Sequence, residues 1–243
     1  MGNIITIGKR ELSAYFASPV AYVFIVIFLL LSNGLTFILG GFFEMNEASL
    51  NFSFFRWHPW IYLFLVPAVG MRLWSEERRQ GTIELLMTMP ITPWQAIVGK
   101  FMASWIFIGI ALALTFPVVL TVNHLGMPDN GVIIGAYIGS MLLAGAYLAI
   151  TCLTSAFTRN QVIAFIVSVV ICFGLVLAGI DPVVEFCGSL AQWFGAFVAG
   201  ISVMTHFQDL QRGVIDSRDL IYFVSIIGFS LFSTGVVLKS IRS

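Results

Sequence analysis

Charge is what this sequence has least of. Only 10% of its 243 residues are Asp, Glu, Lys or Arg, against about 25% in soluble domains. Hydrophobic residues reach 59%, which excludes a soluble globular domain. The 12 basic and 12 acidic residues cancel, and without a basic tract there is no footprint for nucleic acid. The three cysteines, Cys152, Cys172 and Cys187, have no CxxC or zinc-type spacing and read as small buried hydrophobes. HExxH and GxSG are missing, which argues against an intramembrane enzyme. Gly99-Lys100-Phe101 lacks both the earlier glycine and the Ser/Thr of a phosphate-binding loop, so the chain is not itself an ATPase. No ionisable residue falls in the middle of an apolar run, as ion-coupled carriers usually require. His58, His124 and His206 are scattered, and are expected on the outer side as hydrogen-bonded interfacial groups rather than as a metal site.

Long apolar runs are abundant. They predict an all-α integral membrane fold with six spans, at about 19–43, 58–75, 97–120, 132–156, 162–180 and 220–238. The first run is about 25 residues, too long for a cleavable signal. The apolar part of the second, from His58 to Met71, is only about 14 residues or roughly 21 Å of helix, so Arg72 must lie near the inner interface, snorkel to it or face protein. Ahead of them, residues 4–18 place Ile4, Ile5, Leu12, Tyr15 and Phe16 on one arc with Thr6, Arg10 and Ser13 opposite. This reads as an interfacial helix, although Ile7 falls on the wrong face. Residues 187–204 are uncharged and could pass for a seventh span. Their Gly and Ser content favours a re-entrant or interfacial hairpin before the last span. With six spans and both termini inside, nine basic residues lie on the cytoplasmic side against three outside (Arg56, Arg212 and Arg218). Seven spans score the same. Gly135 and Gly139 would allow close helix packing. Ser32, Asn33 and Thr36 are the best polar candidates for a translocation path; the alternative is hydrogen bonding to a neighbouring helix.

The scarce charge is concentrated between the second and third spans. Arg72, Glu76, Glu77, Arg78, Arg79, Glu84 and Lys100 all fall within 29 residues, 72 to 100. Gly81 permits a turn after this charged extension. Thr82 can cap the short helix that follows, with Glu84 in its first turn. That helix, with Leu85 and Leu86 among its apolar residues, ends at Pro90. Thr92-Pro93-Trp94-Gln95 then reads as a capping box with proline at the first helical position. Loop 76–95 would be a short amphipathic helix held between two turns. On physical grounds alone, an ordinary surface loop fits equally well.

The run Met71-Arg72, Glu76-Glu77-Arg78, Gly81-Thr82-x-Glu84-Leu85-Leu86, Pro90 and Gly99-Lys100-Phe101 resembles the signature of ABC-2 type permeases. The branch it looks most like contains the gliding-motility and nitrous-oxide-reductase-maturation permeases. The segment from His206-Phe207 through Asp216 to Asp219-Leu220-x-Tyr222-Phe223 resembles the piece preceding the last span in that branch. The resemblance covers essentially the whole chain and implies one transmembrane domain, 1–243, in the inner (plasma) membrane with both termini cytoplasmic. It implies a coupling helix that enters a cleft on a separate ATPase. Glu76, Glu77, Arg78, Arg79, Gly81, Thr82, Glu84, Leu85, Leu86 and Pro90 would make the contact, with Lys9, Arg10 and Glu11 alongside. Two ATPase copies and a second permease, identical or related, would complete an exporter. ATP and magnesium would bind the partner and no cofactor this chain. The rivals are a non-transporting membrane scaffold that docks a cytoplasmic protein and an ion-coupled secondary carrier.

Overall fold

The computed structural model describes residues 2–42, 49–82, 92–214 and 216–240, apart from the side chains of residues 190 and 192. All regular structure among them is helical. The first helix, α1 (Gly2–Ala17), leads through Ser18 into α2 (Pro19–Gly34). The Ser18 side chain accepts from the Val20 amide, and Pro19 occupies the first turn, where its missing donor costs nothing. A π-helical turn, Leu35–Leu39, extends this element to a 21-residue apolar stretch.

After a 3-10 turn at Phe55–Trp57, α3 (His58–Gly70) is followed by α4 (Arg72–Gln80), with the helix interrupted at Met71. The expected span 58–75 is therefore divided, and α3 has only 13 residues. Nine of them, from His58 to Gly70, are buried, so protein covers most of α3, and Phe64 is exposed. Next, α5 (Pro93–Ala113) and α6 (Phe116–Leu125) form one apolar stretch of 33 residues with a break at Leu114 and Thr115. The third span, expected to end at about 120, thus continues as helix to Leu125. Thr121 bonds back to the Pro117 carbonyl, and Asn123 exchanges amide hydrogen bonds with Asn130 at 3.1 Å in both directions. Satisfied in this way, polar side chains need not break a helix.

The longest helix, α7 (Asn130–Phe157), is capped by Asp129 and is the central post. Its most apolar window is 72% buried, and it contacts α3, α4, α5, the following α8 (Gln161–Leu177) and two later helices. Small residues allow these close approaches. A Cβ on Gly139 would meet Leu210 Cβ at 2.8 Å, and one on Gly135 would meet Gly213 Cα at 3.3 Å. Gly135 and Gly139 thus serve intrachain packing.

The chain then bends by 72° from α8 into α9 (Asp181–Leu190). With α10 (Gln192–Ile201), α9 forms a helical hairpin in which Gly195 lies against Gly188. Residues 187–204 are interrupted at Ala191 and again at Ser202, where α11 (Val203–Gln211) begins, and do not form a single helix. The last helix, α12 (Ser217–Ser240), runs along α7. Among the described residues, four stretches are long and apolar enough to cross a membrane: 19–39, 93–125, 130–157 and 217–240. The bent α8–α9 pair makes a fifth if it counts as one span. Their outward faces are oily. Val23, Val26 and Leu30 on α2, Ile166 and Val170 on α8, and Val224 and Phe229 on α12 are all more than half exposed. Apolar surface on that scale belongs against lipid, and the protein is multi-pass.

Candidate functional site

The charged island is built by three helices meeting at one buried cation. α4 carries Leu73 and Trp74 on its buried side. The Trp74 indole faces Cys152 Sγ of α7 at 3.2 Å, and the Arg78 guanidinium donates to the Ala156 carbonyl near the end of α7. α4 is thereby fastened to the central post. Glu77 turns toward α5, where Lys100 Nζ meets its Oε1 at 2.8 Å. The same ammonium lies 3.4 Å from Glu11 Oε1 of α1 and 5.5 Å from the Trp74 ring centroid. Arg10 closes on Glu11 from the exposed side at 2.8 Å. Lys100 is only 5% exposed, yet it faces two carboxylates, the condition under which a buried charge is tolerated.

α1 is held against α5 by apolar contact as well. Ile7, expected on the wrong face of an interfacial helix, packs on Gly99, where an added Cβ would stand 2.9 Å from Ile7 Cγ2. The Tyr15 ring stacks on Phe107 at 5.0 Å, and its hydroxyl lies 2.9 Å from Ser104 Oγ. The face of α1 that meets protein therefore includes Ile7, whereas Ile5 is 58% exposed.

Two turns bound the loop itself. At its start, Gly81 adopts φ 71°, and the amides of Gly81 and Thr82 both reach the Glu77 carbonyl, the latter at 3.0 Å. This is the left-handed helix stop that glycine permits. The Thr82 hydroxyl donates to the same carbonyl at 3.4 Å, so it helps close the helix before it. At its end, the capping box forms as expected. The Gln95 amide donates to Thr92 Oγ1 at 3.4 Å, and the Thr92 amide to Gln95 Oε1 at 3.1 Å. Glu84, Leu85, Leu86 and Pro90, with the short helix expected between these turns, lie outside the described residues.

The remaining expected site residues fall in different surroundings. Glu76 accepts from Arg79 and Gln80, each at 2.6 Å, and from Gln161 of α8. The hydrogen bond from Arg79 leads in holding its carboxyl below the usual carboxylate range. Arg79 is exposed, as are Lys9 and Arg10. For Glu11, burial alone would raise the pKa, but Lys100 and Arg10 outweigh it and the net shift is downward. Ser32 and Asn33 lie in α2 and Thr36 in the π-helical turn that follows it. Asn33 donates to the Leu29 carbonyl at 2.7 Å and Thr36 to the Ser32 carbonyl at 2.6 Å, both back into their own helix, while Ser32 is buried. Nor is His58 interfacial: it is fully buried with Nδ1 2.6 Å from Ser140 Oγ.

The second sequence motif forms a clamp. His206 lies between Asp219 Oδ1 at 2.6 Å and the Gly200 carbonyl at 3.2 Å, stacked on Tyr222 at 4.0 Å between centroids. It ties the hairpin to α12. Among the described residues no group of His, Cys, Asp and Glu is arranged to hold a metal ion.

Sequence reasoning missed the role of Lys100, which it counted as part of the island and assigned no partner. The available signal was a single cation eight residues into an otherwise apolar helix. Comparison with known families gives one match: a family model described as "ABC-2 family transporter protein" aligns with residues 6–207. No curated protein matches the chain.

Proposed function

This chain belongs to the ABC-2 family of transporter proteins and is a membrane permease subunit of an ABC transporter, and from that premise we propose how it is driven. It is the permease of an ATP-driven exporter, paired with a second permease, identical or related, above two ATPase subunits. Loop 76–95 is the coupling element that those ATPases push, and ATP and magnesium bind there and not on this chain. α3 and the first turn of α4, residues 58–75, make the second of six spans, and both termini face the cytoplasm of the inner membrane. Its branch is that of the gliding-motility and nitrous-oxide-reductase-maturation permeases.

The observation that carries this reading is the Lys100 cluster. The helix entering the loop, the helix leaving it and α1 meet at one ammonium. α4 is fastened in turn to α7 through Trp74 and Arg78. A push on residues between Gly81 and Thr92 would move three helices as a unit and reach the central post. The concentration of basic residues on one side supports a cytoplasmic N-terminus and coupling loop.

The test is co-expression with the ATPase subunit. The two should co-purify, and Glu84→Arg should abolish association and ATPase stimulation while leaving the permease folded and in the membrane. A chain that never retains an ATPase, or a Glu84→Arg variant that couples normally, rules the proposal out.

A further inference from the structure

Two clefts share Arg72 in their linings. The first, about 370 Å³, lies between α1, α2 and α3. Its walls are apolar, including Val23, Phe24 and Ile27 of α2 and Leu65 and Ala68 of α3. At its polar end Glu11 is held by Arg10 and Lys100, and Lys100 by Glu77 and Glu11, which leaves Arg72 as the uncommitted charge. The second, about 760 Å³, is lined by Arg72, Glu76, Arg79, Arg159, Asn160, Gln161 and Val162. Three arginines against one carboxylate give it a net charge of +2 (3 − 1). Glu76 is engaged by Arg79, Gln80 and Gln161. Arg72 and Arg159 are exposed and, among the described residues, make no ion pair or hydrogen bond. Like charges also crowd here: burial and then the nearby Arg159 push the Arg78 guanidinium down.

An oily slot that opens beside an uncompensated basic cleft, on a protein set in a bilayer, matches one ligand class. We propose that this paired cleft binds an anionic phospholipid of the surrounding membrane. One acyl chain lies in the α1–α2–α3 slot, and the phosphate headgroup lies in the basic cleft between Arg72 and Arg159. Guanidinium forks suit phosphate oxygens, and basic pockets between membrane helices are a recurrent headgroup site. The slot's volume lies within the range of ligand pockets. The occupant would brace α1 and α2 against the α4 end of the coupling loop, so its loss would loosen the junction described above. The binding claim itself does not depend on the exporter reading.

The experiment uses the full chain, delipidated in mild detergent and titrated with chain-matched phosphatidylglycerol or phosphatidylcholine. Bound lipid is read by native mass spectrometry and by the shift in melting temperature. Phosphatidylglycerol should bind at least about tenfold tighter than phosphatidylcholine. Arg72→Ala with Arg159→Ala should weaken it about 30-fold, from roughly one favourable contact's worth per arginine at a membrane surface. Ala68→Phe, which fills the slot and leaves every charge in place, should weaken both lipids. If the double variant is not monodisperse, Arg159→Gln and Ala68→Phe decide the question separately. Equal binding of the two lipids, unchanged binding by the variants, or the same stabilisation from inorganic phosphate alone would each overturn the proposal.

Discussion

Replacing Lys100 with Met removes the cation on which α1, α4 and α5 converge. Its side chain is 6% exposed, and the two carboxylates it serves are 18% and 19% exposed. Removing one partner of a buried ion pair costs about 3–5 kcal/mol, because the other charge is left stranded. Here both carboxylates keep some access to water and Glu11 retains Arg10, which brings the expectation down to about 2–3 kcal/mol. In a chain of this size that corresponds to a fall in melting temperature of roughly 5–10 °C. Adding Glu77→Gln and Glu11→Gln should recover most of the loss, since neutral groups are no longer stranded.

The pH dependence has a defined sign. Glu11 titrates below its ordinary value of 4.5 in the folded protein, because Lys100 and Arg10 outweigh the effect of burial. A carboxylate with a depressed folded pKa contributes stability that is complete above its unfolded pKa and drains away as pH falls through the folded one. The gap between wild type and Lys100→Met should therefore be full at pH 7 and narrow below about pH 4.5. Thermal unfolding in detergent at a series of pH values measures all three quantities. A Lys100→Met cost under about 0.5 kcal/mol, the size of an exposed pair, would refute the reasoning. So would a triple variant no better than the single one.

Two further expectations rest on glycines. Gly81→Ala meets no atom within 4 Å but must hold φ 71°, so it should destabilise by about 1–2 kcal/mol from backbone conformation alone. Gly81→Asn should cost less, and ATPase stimulation should track the stability loss across the pair. Gly99→Val would drive into Ile7 and press on the Ile4 carbonyl, 3.2 Å from the added Cβ. α1 should lift from α5, seen as faster protease cleavage within residues 2–17 with membrane insertion unchanged; unaltered cleavage would mean that α1 does not depend on this contact.

The elements most legible in sequence were those whose cause is local. The Thr92 capping box, with Pro93 at the first helical position, and the turn at Gly81 are set by residues within a few positions of each other. Helix existence was likewise legible from apolar runs, as for α7 and α12. What escaped depended on partners distant in sequence. Ile7 looked misplaced because its partner, Gly99, is 92 residues away. Thr121 and Asn123 lie beyond the expected end of the third span, but their hydrogen bonds to helix carbonyls and to Asn130 keep the helix intact.

Composition alone determined that this chain lives in a membrane, because 59% apolar residues and so little charge cannot be hidden in a fold this small. It also determined that the scarce charge is gathered between two helices. Only the tertiary structure decided how that charge is used. Apolar runs respond to the bilayer, which acts on each helix separately. An ion pair needs its members within a few ångströms, and Glu11, Glu77 and Lys100 reach that distance only once three helices have packed.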